Sequence, residues 1–246
     1  MAKAAASYAM LYDDLEWLCG DHPSGGSRID RLARGIHFLD IPTEAPHLVQ
    51  GHGCGYGFTD MEPKSGHVLF TSLLVLEGAA LLGAAIQRGV SQGVPGCAGK
   101  SEEPLRDLLE LAALVNDSIA SGYMDDSRFG SNLLLATDVH GNNAQPDVWG
   151  SGLAVAIGAG TEAQRARISA ALAANASNIF RWGQARHLPW PMCWEHGKTM
   201  PGYMNPAQCT ETGKGALESS WCRCAPPTAR GRFGVRTLRF CDEVLG

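Results

Sequence analysis

The sequence predicts an all-α fold built from paired helices. Three observations carry that expectation. Apolar residues recur at helical spacing through six separate stretches of the 246-residue chain. Gly, Pro and capping residues stand between those stretches. No series of alternating apolar and polar residues marks a set of strands.

The elements follow in order. Met10, Leu11, Leu15 and Leu18 form an apolar stripe that predicts a first helix over Ala4 to Leu18. A Gly- and Pro-containing run from Gly20 to Gly26 ends it. Ser27 is a suitable N-cap for a second helix, Arg28 to Leu39, with Ile29, Leu32, Ile36 and Leu39 on one face. Pro42 and Pro46 stop that helix, and a glycine-rich loop, Gly51 to Ser72, feeds a third from about Gly66 to Gln87. Its leucines lie among Gly78, Ala79, Ala80, Gly83, Ala84 and Ala85, small residues that let helices approach closely. A fourth helix enters at Ser101-Glu102-Glu103-Pro104, continues through Leu105 to Ile119 and ends near Gly122. Met124 to Pro146 is polar and irregular apart from Leu133-Leu134-Leu135. Asp147 to Ile157 is the fifth helix. Thr161 and Gln164 form a capping-box pattern that opens a sixth, to about Trp182. Beyond Cys209 periodicity is lost and arginines accumulate, at Arg223, Arg230, Arg232, Arg236 and Arg239. The chain therefore divides into a helical domain, 1–208, and an irregular basic tail, 209–246.

Composition narrows the function classes. A net charge of −5 gives no general reason to expect nucleic acid or an anionic membrane as partner. The longest apolar run, Val68 to Ile86, contains Glu77 and reads as a buried helix rather than a membrane span. The N-terminus has no secretory pattern, so a cytoplasmic protein with free thiols at its eight cysteines is expected. Cys222-x-Cys224 has no second pair, and no metal site is expected. Gly51-His52-Gly53-Cys54-Gly55 lacks the spacing of a dinucleotide fingerprint and no Walker pattern occurs, so no cofactor is expected either.

Three stretches each bring an acid beside aromatics: Asp60 in YGFTD, Asp147 in PDVWG and Glu195 in RHLPWPMCWE. Tyr56, Phe58, Trp149, Trp190 and Trp194 suit the apolar face of a pyranose, and carboxylates with Arg186 or His187 answer its hydroxyls. Cleaving a glycosidic bond needs two carboxyl groups, one acting as acid and one as base or nucleophile. Plainer readings exist for each. Asp60 and Asp147 can be helix caps, and Glu195 a solvated loop acid. Trp149 and Trp182 can be core residues, and Arg186 and His187 a structural pair on loop carbonyls. His67 and His140 read as ordinary polar residues.

In this order, YGFTDMEPKSGHVLFTSLL, QPDVWGSGLAVAIGA and GQARHLPWPMCWE resemble segments of the six-hairpin glycosidase-like superfamily, the (α/α)6 toroids. The resemblance runs from about Ile29 to Tyr203. It implies helical hairpins forming part of an (α/α)6 toroid, with a sugar-binding cleft lined by loops at one end. It implies glycosidic-bond hydrolysis with Asp60 as general acid, and with Glu195 as the least secure of the catalytic pair. Tyr56, Phe58, Asp147, Trp149, Arg186, His187, Trp190 and Trp194 would bind an oligosaccharide or glycoside. A full toroid of twelve helices takes roughly 350–450 residues, so six helices supply about half. Either the chain is a truncated member, or a homo-oligomer completes the ring, or activity is lost. An inactive sugar-binding remnant and a scaffold or interaction protein are therefore the alternatives to a hydrolase.

Overall fold

The computed structural model describes residues 1–56, 59–97, 102–181, 184–189 and Met192; of residues 53–56, 59–63, 181 and 184 only the backbone is described. Within them lie eight helices: α1 (Ala2–Leu11), α2 (Leu15–Cys19), α3 (Arg28–His37), α4 (Leu69–Ser91), α5 (Glu102–Ala120), α6 (Val148–Ile157), α7 (Glu162–Ala174) and α8 (Ala176–Ile179). Two antiparallel hairpins join them, β1 (Gln50–Tyr56) with β2 (Thr59–His67), and β3 (Phe180–Arg181) with β4 (Gln184–Ala185). The protein is mostly helical, with a small amount of sheet that its apolar pattern does not announce.

Helix α4 is the centre of the core. It is long and apolar enough to cross a membrane by length and composition, yet most of its apolar stretch is buried inside the protein. Leu69, Leu73, Leu82, Ala85 and Ile86 are fully enclosed, and α1, α2, α3, α5 and α6 all pack on it. Each buried leucine or isoleucine contributes about 1.5–3 kcal/mol. The acid inside the run, Glu77, is held by Lys3 of α1 at 2.7 Å. The small residues do what close helix packing requires. A Cβ on Gly83 would lie 2.9 Å from Leu109 of α5, and one on Gly150 would lie 2.6 Å from Leu69.

Local chemistry sets the ends. The predicted first helix is two helices, because Asp13 takes a left-handed conformation (φ 56°) and Asp14 then caps α2, accepting from the Trp17 N–H at 3.2 Å. Ser27 caps α3 as expected. Thr161 and Gln164 form the full reciprocal capping box at α7. That helix stops at Ala174, well short of Trp182; a short turn, α8, then delivers the chain to β3 and β4.

The main correction concerns the glycine-rich stretch. Gly51 to His67 is not a loop feeding a helix but an antiparallel hairpin, with Gln50 opposite His67 and Tyr56 opposite Thr59. Its register shifts between His52 and Cys54 and again between Cys54 and Tyr56. The strand period is invisible in the sequence because alternate positions of β1 are glycines, which carry no side chain to alternate. At Gly51 the reason is contact, since a Cβ there would lie 2.6 Å from Val68. Asp60 consequently sits within a strand, which removes the helix-cap reading for it.

The expectation of free thiols is also corrected at one pair. Cys19 at the end of α2 and Cys97 after α4 form a disulfide with Cα atoms 5.0 Å apart, within the usual range. Gly89 makes room for it, since a Cβ there would clash with the Cys97 sulfur. The bridge closes a loop of sequence separation 78. A Cys19→Ser/Cys97→Ser double variant is expected to lose about 2–5 kcal/mol of stability in urea denaturation. Non-reducing peptide mapping should recover the Cys19–Cys97 cross-link, and two alkylatable thiols at these positions would refute the pairing.

Candidate functional site

A clasp of backbone and side chains closes the open end of the β1–β2 hairpin. Val68 bridges Thr137, the Leu69 N–H donates to Ala136 O at 3.0 Å, and the Asp138 N–H donates to His67 O at 3.0 Å. The strand and the segment after it touch without spare volume. Gly66 has φ +79°, and a Cβ on it would lie 2.7 Å from Asp138 Oδ1 and 2.8 Å from Gly141 Cα. A Cβ on Gly141 would collide with Ser65 O. Only glycine fits at both places.

Asp138 is the centre of the clasp. Its Oδ1 accepts the His140 N–H at 3.0 Å, and its Oδ2 accepts the His67 N–H at 3.1 Å and the His67 ring at 2.5 Å. The Tyr123 hydroxyl reaches Oδ2 at 3.3 Å. Burial pushes the Asp138 carboxyl up, but the donors from His67 and His140 outweigh it and hold it below the usual carboxylate range. Tyr123 moves the other way: burial first, then the Asp138 charge, raises its phenol.

A second polar group lies where α6 begins. Asp147 is wholly buried and caps the helix, its Oδ1 accepting the Trp149 N–H at 3.0 Å. The Val148 N–H donates to His187 O at 2.8 Å, and the Trp149 indole N–H donates to Ala185 O at 3.1 Å. The His187 ring lies on Trp149 with centroids 3.6 Å apart. Burial, and then the charge of Lys64, bring the His187 pKa down to about 4, so its ring is neutral at pH 7. Lys64 itself, on β2, is fully enclosed. Arg186 is 3% exposed; burial lowers its pKa, and it remains a cation.

The sequence-predicted residues divide three ways. Asp147, Trp149, Ala185 and His187 are joined at the start of α6: Asp147 caps the helix, Trp149 donates to Ala185 O and stacks with His187, and Arg186 beside them is buried. The capping reading of Asp147 accounts for the N–H it accepts from Trp149. Tyr56 and Asp60 lie on β1 and β2 respectively, described as backbone only. Phe58, Trp190, Trp194 and Glu195 fall outside the described residues, as do Trp182, Cys222, Cys224 and the basic tail. Among the described residues no group of three or more His, Cys, Asp or Glu side chains is arranged to hold a metal ion.

Residue type and spacing did not mark Lys64, Tyr123 or Asp138, and His67, read as an ordinary polar residue, is the side-chain partner of Asp138. His67 and Asp138 are 71 positions apart, so no local pattern joins them. The available signal was Lys64 itself, a cation in the run Lys64-Ser65-Gly66-His67 immediately before the most apolar helix.

Compared with family models, curated proteins and solved structures, the chain matches none of them.

The depressed pKa of His187 fixes a pH dependence. Between its unfolded value of 6.5 and its folded value of about 4, the unfolded chain binds the extra proton. Stability is therefore highest above pH 6.5 and falls as pH drops towards 4, by about 3 kcal/mol over the full interval. A His187→Gln variant should show a flatter stability curve between pH 6.5 and 4 in urea denaturation. Asp138 acts lower down. Its stabilisation is present above about 3.9 and is lost as pH falls through its folded value.

Proposed function

We propose that the chain is a carbohydrate-active protein that cleaves a glycosidic bond by carboxylate general acid/base catalysis, on helical hairpins forming part of an (α/α) toroid. The observation that carries this reading is convergence. The three segments that resemble six-hairpin glycosidases are far apart in sequence, yet His187 of the third packs on Trp149 of the second and feels the charge of Lys64 of the first. A fold that only needed stability gains little by enclosing Lys64, Asp147 and Arg186, since even a well-paired buried charge at best roughly repays its desolvation. Perturbed, enclosed ionisable groups grouped at one end are a mark of functional sites.

In this reading the enclosed groups support a ligand surface formed by Tyr56, Phe58, Asp60, Trp190, Trp194 and Glu195, with Asp60 as general acid. A general acid contributes about 10²–10⁴-fold to rate. Asp60→Asn should therefore lower turnover by at least about 100-fold on any aryl glycoside or oligosaccharide that the wild type cleaves, with the melting temperature unchanged. Full turnover by the variant would remove Asp60 from the mechanism.

A second reading, sugar binding without hydrolysis, is favoured by one observation. Asp138 and Asp147, the two enclosed carboxylates described at this end, are both engaged in holding backbone N–H groups. It predicts oligosaccharide binding in calorimetry with no product after long incubation.

A further inference from the structure

His67 stands at the open end of the hairpin with one ring nitrogen committed. Nδ1 lies 2.5 Å from Asp138 Oδ2. That carboxylate is held ionised by its donors, and an ionised carboxylate only accepts. When the ring carries a single proton, that proton therefore sits on Nδ1. Tyr123 keeps its own proton and offers it to Asp138 at 3.3 Å. It also meets the imidazole edge to face, with centroids 5.5 Å apart and planes at 85°, which fixes the orientation of the ring. In that form Nε2 is left with a lone pair. No described residue donates a hydrogen bond to it, and the side chain is 15% exposed.

We infer that His67 Nε2 is a hydrogen-bond acceptor for a hydroxyl of a bound oligosaccharide, with Asp138 and Tyr123 as its positioning residues; the inference rests on the carbohydrate reading above. The chemistry fits that ligand class. Sugar hydroxyls are donors as well as acceptors, and Lys, Arg and indole side chains only donate. A rigid neutral acceptor supplies the complementary half. The role is binding rather than proton transfer at the scissile bond. Asp60 lies seven residues along the same strand, about 23 Å away if the strand is fully extended, beyond the roughly 5–9.5 Å that separates paired catalytic groups of glycosidases.

The test uses substitutions that separate clasp from ligand. In His67→Asn the amide can take the place of Nδ1 and still donate to Asp138, while the outward acceptor is removed. Malto-, cello-, xylo- and chitotetraose serve as calorimetric probes of the wild type and the variant. The expected result is a loss of about 3–10-fold in affinity for the tetrasaccharide that binds, one neutral hydrogen bond's worth, with an unchanged melting temperature. Histidine 15N NMR of the wild type should show neutral His67 protonated on Nδ1, with Nε2 responding when that sugar is added. Protonation on Nε2, or a bound sugar that leaves Nε2 unmoved and His67→Asn at full affinity, overturns this inference and leaves the carbohydrate reading standing. Binding of none of the four by the wild type counts against the carbohydrate reading, and this inference falls with it. Should His67→Asn prove unstable, the wild-type NMR shifts decide between the same outcomes.

Discussion

The carboxylate of Asp138 is the constraint on which this end of the molecule depends. It ties its own turn, at His140, to two other parts of the chain: the end of β2 through His67 and the turn after α5 through Tyr123. Because the acceptor is ionised and its donors are mostly backbone and ring N–H groups, the contacts are charge-assisted and directional. Gly66 and Gly141 set how near the two backbones come, and the carboxylate sets how they face. Replacing the carboxylate by an isosteric amide would bring an N–H to face the donors, leaving buried polar groups unsatisfied.

The core below does not require that arrangement. Helix α4 gains its stability from leucines, alanines and isoleucine enclosed by five neighbouring helices. That burial is non-directional and tolerates exchange of one apolar shape for another of like volume. The polar end is different in kind. Lys64, Asp147, Arg186 and His187 each carry a desolvation cost, visible in the pKa of about 4 at His187. The apolar core offsets that cost.

The helical parts were legible because their signals are local. Ser27, Thr161 and Gln164 announce their helices within four residues, and the small residues of α4 foretell its close packing. The capping role weighed for Asp147 was legible, and its side chain accepts the Trp149 N–H. The hairpin was not legible. Alternation is read from side chains, and glycines at Gly51, Gly53 and Gly55 erase it. The Asp13 break was hidden for another reason, since an apolar stripe can cross two helices and still keep its period. The Cys19–Cys97 bridge and the His67–Asp138 pair join positions 78 and 71 residues apart, and spacing alone carries no information at that range.

The hairpin also constrains which chemistry can operate. Asp60 is one residue into β2 and His67 is its last residue, so the strand holds them at opposite ends. A partner for Asp60 at the scissile bond has to come within roughly 5–9.5 Å of it. The clasp residues His67 and Asp138 are too far along the strand to serve, and Asp147 is enclosed at the start of α6. In the proposed reading the partner carboxylate would come from outside the clasp, the role proposed for Glu195, eight residues after His187. If Asp60 acts at the bond while His67 grips a hydroxyl, the ligand has to span much of the strand. That length exceeds a single sugar ring and makes an oligosaccharide, rather than a simple glycoside, the ligand that uses the whole surface.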